Sequence, residues 1–234
     1  MNYQTQQLVE AMVAMMVMAM GVGMVMPVIL QRSPTELSDS KTITIPEIAE
    51  FYHGTPKSNL KSILRDGIKP RTSEQCEHMI DNLLAEYNHT RSDLPDWTWK
   101  YPLARCQETV GRVYLSGNRK YALANSQAGK EVEADMRKNI IAHDRGGSLA
   151  PGERHKIISQ AYEPYSALLK VRIPTSWINQ LNDLKKRIPL VIRHYPYMSE
   201  YKAWKYLLEE VTVTVSEIPP EYIIGYRIVP FGIY

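Results

Sequence analysis

FYHGTPKSNLKSILRDGIKP, residues 51–70, is the stretch whose reading decides the fold. Phe51-Tyr52-His53 is aromatic and β-prone and closes a short predicted strand; Gly54-Thr55-Pro56 reads as a turn. Leu60, Ile63 and Leu64 follow at i, i+3, i+4, which puts one apolar face on a helix. Ser58 is the candidate cap and Gly67 the stop. Ile68-Lys69-Pro70 leaves that helix as extended chain.

Downstream the pattern stays mixed. One helix is expected over Cys76–Tyr87 inside a polar stretch, 72–110, that otherwise reads as irregular. Arg112–Ser116 (RVYLS) is a short strand, and Tyr121–His143 reads mostly as helix until Gly146-Gly147 breaks it. Helices are expected over Glu153–Tyr162, Trp177–Arg187 and Met198–Leu208, and strands over Ser166–Ile173 and Tyr222–Ile228. Glu210–Val215 (EVTVTV) alternates, with Val211, Val213 and Val215 on one face of a strand. Strands and helices do not alternate strictly, so an α+β domain is expected rather than a doubly wound parallel sheet. No glycine fingerprint of a dinucleotide-binding βαβ unit or of a P-loop is present, which removes those routes to nucleotide binding.

Ahead of the domain, Ala11–Leu30 is twenty residues without a charge, and seven of the eleven Met lie between Met12 and Met26. Twenty helical residues span a bilayer core of roughly 30 Å. Residues 1–10 carry no Lys or Arg, which disfavours a cleavable signal peptide. The chain therefore divides into a tail (1–10), a transmembrane helix (11–30), a polar linker (31–44) and a domain (45–234). Arg32 and Lys41 follow the apolar segment, so a single-pass protein with its large domain in the cytoplasm is expected. Net charge is +3, too mild by itself to imply nucleic-acid binding. Cys76 and Cys106, the only cysteines, match no metal pattern and read as reduced structural thiols.

Three blocks carry chemistry: Tyr52-His53-Gly54-Thr55 with Gly67-Ile68-Lys69-Pro70, Val113-Tyr114-Leu115-Ser116, and Glu210-Val211 through Ile218-Pro219-Pro220-Glu221-Tyr222-Ile223. In this order they resemble the ADP-ribosyltransferase superfamily of the His-Tyr-Glu type, which includes the poly(ADP-ribose) polymerase catalytic domain and diphtheria-type toxins. The first block is also similar to the RNA 2′-phosphotransferases, which share that fold. The resemblance implies a split mixed β-sheet with peripheral helices, and NAD⁺ as a substrate with no metal. It assigns Glu210 as the catalytic carboxylate, with Glu209 the neighbouring candidate. His53, Gly54, Thr55, Tyr114 and Ser116 are implied to contact NAD⁺, and Tyr121 to stand in for a second stacking ring.

The chemistry asks for those residue types. Nicotinamide leaves as an already cationic group, so catalysis needs negative charge near the ribose where positive charge develops. Glu210 would supply it through the 2′-hydroxyl. Tyr114 would stack on nicotinamide, His53 would donate to the adenosine ribose, and Gly54 would let the backbone approach the carboxamide. Leu208 stands where many arginine-directed members carry Glu or Gln, which disfavours an arginine acceptor. The expected activity is membrane-anchored mono-ADP-ribosyl transfer to a protein or nucleic-acid acceptor. An RNA 2′-phosphotransferase-like enzyme using Arg71 and Arg112, or a non-catalytic nucleotide- or partner-binding module, are the alternatives. The 72–110 insertion has no counterpart in the family and reads as a substrate loop or lid.

Overall fold

Strand β1 runs over nine residues, Ile48–Pro56, straight through the Gly54-Thr55-Pro56 segment expected to turn. The cause is a partner the sequence does not reveal. Every residue from Ile48 to Pro56 pairs antiparallel with β3 (Tyr165–Pro174), and that ladder overrides the local turn preference. A computed structural model describes residues 43–150 and 152–231. The expected membrane segment, 11–30, lies outside the described residues. Among the described residues, no helix is long and apolar enough to cross a membrane.

The sheet has the order β4-β2-β1-β3-β5, with β2 at Val113–Ser116, β4 at Thr212–Val215 and β5 at Ile223–Pro230. All four ladders are antiparallel, so the expected mixed sheet is corrected to an antiparallel one within an α+β domain. β1 and β2 meet at a single residue pair, Tyr52↔Ser116, whereas β2–β4 and β1–β3 are paired along their lengths. The two halves therefore splay apart on one side of that pair.

Helix α1 (Leu60–Asp66) buries Leu60 and Ile63 but leaves Leu64 exposed. Gly67 ends it at φ 81°, where an L side chain is strained, and a Cβ there would sit 2.3 Å from the Ile218 carbonyl oxygen. Ser58 does not cap α1; its backbone N–H and its hydroxyl both go to the Glu163 carboxylate.

The 72–110 insertion is more regular than expected: it folds into α2 (Ser73–Glu86) and α3 (Lys100–Gln107), which pack with α5 (Ala128–Asp144) around a core that includes Ile80, Leu84, Leu103, Met136 and Ile140. Thr72 caps α2 in a reciprocal box with Gln75. Cys76 and Cys106 are not reduced: they form a disulfide across α2 and α3, with Cα atoms 5.7 Å apart. Thirty residues of sequence separation hid that approach, because two helices bring the ends of the insertion together.

Between β2 and α5 lies the short helix α4 (Arg119–Ala124), capped by the Asn118 side chain on the Lys120 and Tyr121 N–H groups. α6 (Glu153–Ala161) precedes β3. α7 (Leu181–His194) and α8 (Glu200–Glu210) form a hairpin, and α8 packs on β2 and β4 through Trp204, Leu207 and Leu208. α7 starts after a 3₁₀ turn at Thr175–Trp177 and continues past Pro189, later at both ends than its periodicity suggests. α8 ends at Glu210, and the Val211 N–H still bonds the Leu207 carbonyl at 3.0 Å. Glu210 therefore closes a helix rather than opening β4.

Candidate functional site

The splay of β1 from β2 opens a cleft of about 1030 Å³, at the large end of ligand sites, which run roughly 300–1,000 Å³. Tyr52 to Pro56 form one wall and Val113 to Ser116 the other; Ile68 to Arg71, α4 and the start of α5 complete it. The motif blocks meet here. Ile68 and Ile218 exchange two backbone hydrogen bonds, at 2.8 and 2.9 Å, joining the first block to the third.

His53 and Tyr114 are tied across the split. The Nδ1–H of His53 donates to the Tyr114 carbonyl at 3.0 Å, linking β1 to β2 beyond their single paired position. Burial pushes the His53 pKa below its ordinary 6.5, against the opposing pull of that hydrogen bond. The ring is neutral at neutral pH, its proton sits on Nδ1, and Nε2 is left as an acceptor.

Tyr114 is exposed in the cleft, and its hydroxyl donates to the Glu108 carbonyl at 3.3 Å. Tyr121, on α4, is a second exposed ring in the same lining. Thr55 and Ser116 are buried in the walls; the Thr55 hydroxyl accepts from the Asn59 amide at 3.1 Å and the Ser116 hydroxyl from the Asn118 N–H at 3.0 Å. Gly54 lines the cleft. A Cβ there would lie 1.9 Å from the Ala122 carbonyl oxygen, so the packing of α4 against β1 already requires a glycine at this position.

Glu210 is the residue that does not converge. It is exposed at the end of α8 and is absent from the cleft lining. Its charge faces Tyr206, whose phenol pKa is raised by burial, by its hydrogen bond with Tyr195 and by Glu210. It is nevertheless close to the site in sequence and space. Thr212, two residues on, lines the cleft, and the Gly117 N–H, next to Ser116, bonds the Leu208 carbonyl at 2.9 Å.

Four cations line the cleft: Lys69, Arg71, Arg112 and Lys130. Lys130 pairs with Glu133 at 3.1 Å. The Arg71 guanidinium donates to Cys106 Sγ at 3.0 Å and passes over Gly129. The Lys69 ammonium lies near Asp66 and helps to lower its pKa, after the stronger effect of Arg65, whereas Arg112 has no acidic partner among the described residues. Lys69 was legible within the quoted motif, and Thr212 from strand alternation after Glu210; nothing in sequence placed Lys130 or Glu133 here. No family model and no curated protein matches the chain.

Proposed function

We propose that this cleft binds NAD⁺ and that the protein transfers ADP-ribose from it to an acceptor, releasing nicotinamide. The observation that carries the reading is the tie between His53 and Tyr114 at the mouth of the β1–β2 split, with Tyr121 in the same lining. Two exposed phenol rings offer faces for flat heterocycles. Lys69 and Arg112, both in the lining, suit a pyrophosphate. Neutral His53 offers Nε2 to a ribose hydroxyl. In the reaction the C1′–nicotinamide bond breaks with its electron pair, nicotinamide leaves neutral, and the acceptor's nucleophile bonds to C1′.

Glu210 remains the carboxylate of this reading, and its position sets a condition. If the last turn of α8 unwinds and β4 begins two residues earlier, Glu210 shares the face of Thr212, because strand residues i and i+2 point the same way. The test is nicotinamide release and NAD⁺ calorimetry on Glu210→Gln. Release should fall about 10²–10³-fold, as when one charge-stabilising group is removed, while NAD⁺ binding persists. Equal release by the variant refutes the role of Glu210. Binding without release in the wild type leaves a nucleotide-binding module.

Arg71 and Arg112, both in the lining, favour a second reading as an RNA 2′-phosphotransferase-like enzyme. ADP-ribose cyclic phosphate formed from 2′-phosphorylated RNA would establish it. With its apolar Ala11–Leu30 segment, we place the domain at a membrane. The disulfide supports an oxidising compartment and weighs against the cytoplasmic side expected from Arg32 and Lys41.

A further inference from the structure

The turn joining α7 to α8 carries an aromatic cluster that faces water. The Tyr195 ring is centred 4.6 Å from His194, 6.1 Å from Tyr197 and 5.7 Å from Tyr206. Tyr197 is 75% exposed, so its ring is held by one neighbour and otherwise free for a ligand. Cations flank the rings. Arg193, Lys202 and Lys205 are exposed, and none has an acidic partner among the described residues. Lys202, Tyr206 and Glu210 follow at i, i+4, i+8 on one face of α8. The cluster thus ends beside the carboxylate assigned to catalysis, two residues from Thr212 in the cleft.

Rings and unpaired cations side by side select a class of partner. Unstacked bases lie flat on aromatic faces while their phosphates meet Lys and Arg. An acidic peptide would use the cations and leave the rings idle. The net charge of +3 does not reveal this grouping, because it also counts acidic side chains, among them Glu200, Glu209 and Glu210 at the two ends of α8.

We propose that the α7–α8 turn docks a single-stranded nucleic acid and leads it to the cleft as the acceptor. Calling the strand the acceptor rests on the ADP-ribosyl-transfer reading; the docking stands without it. In the transfer, a hydroxyl or base nitrogen of the strand bonds to C1′ of NAD⁺, nicotinamide departs with the electron pair of the broken bond, and the nucleophile's proton passes to Glu210.

The test is fluorescence polarisation of the full chain with a short labelled single-stranded oligonucleotide, without NAD⁺, across a salt series. Binding should weaken with salt at a log–log slope of about 2, three cations contributing about 0.7 each. Tyr197→Ala should weaken binding about tenfold, the effect of losing one stacked base. Lys202→Gln should lower the slope by about 0.7. Failure of the strand to bind, or wild-type binding by both variants, overturns the docking proposal. Nicotinamide release is measured separately and should be unchanged in Tyr197→Ala. A strand that binds through Tyr197 yet never acquires ADP-ribose sinks the transfer reading and leaves the surface; release of nicotinamide with no strand bound does the opposite.

Discussion

Gly54→Ala separates packing from ligand contact at the centre of the site. The added methyl carbon would stand 1.9 Å from the Ala122 carbonyl oxygen and 2.8 Å from Ser126 Cβ. Real Cβ contacts essentially never fall below 3.0 Å, so β1 and α4 must part by about an ångström. The obstacle is backbone, which cannot swing aside as a side-chain tip can. Overpacking of this kind costs about 1–3 kcal/mol, and a rigid backbone contact sits at the top of that range. For a domain the size of Thr44–Tyr234, ~3 kcal/mol lowers Tm by roughly 6–12 °C. Gly129→Ala is the control: its nearest atom, 3.0 Å away, is the tip of the Arg71 guanidinium, which can move. Thermal unfolding followed by circular dichroism should show a large loss for Gly54→Ala and a change within about 1 kcal/mol for Gly129→Ala. If Gly54→Ala melts with the wild type but binds NAD⁺ less tightly, then the glycine serves the ligand and the packing account is wrong.

Two further outcomes follow from the same geometry. The folded His53 resists protonation relative to its ordinary 6.5, so above that value stability is independent of this group. As pH falls below it, the unfolded chain takes a proton the folded one refuses, and stability drops. Urea midpoints should therefore fall as pH drops below 6.5, and His53→Gln should flatten that decline; an unchanged decline assigns it to other groups. The Cys76–Cys106 disulfide closes a thirty-residue loop, for which loop-closure entropy gives about 3–4 kcal/mol. Cys76→Ser with Cys106→Ser should lose stability of that order, and maleimide should label no thiol in the denatured, unreduced wild type. Labelling of both cysteines would contradict the bond.

Sequence reading located most elements because they are locally encoded. α2 is set by its apolar spacing and Thr72 cap, α1 by Leu60, Ile63 and the Gly67 stop, and β2 by its β-branched and aromatic residues. Errors arose where a distant partner decides. Gly54-Thr55-Pro56 has turn composition yet lies in a strand because β3 pairs with it residue for residue. Glu210 begins an alternating pattern yet stays helical, because buried Leu207 and Leu208 hold the last turn of α8 against β2 and β4.

The amino-acid order by itself determined the α+β character, the sites of Gly67 and Tyr114 and the three motif blocks, all of which depend on neighbours a few residues apart. Only the tertiary structure decided that β1 and β2 touch at one pair and open a cleft, that His53 donates its Nδ1–H to the Tyr114 carbonyl and keeps Nε2 as an acceptor, and that two distant cysteines join. Those outcomes require segments tens of residues apart to meet, and the energy that selects them comes from pairing and burial that no local pattern records.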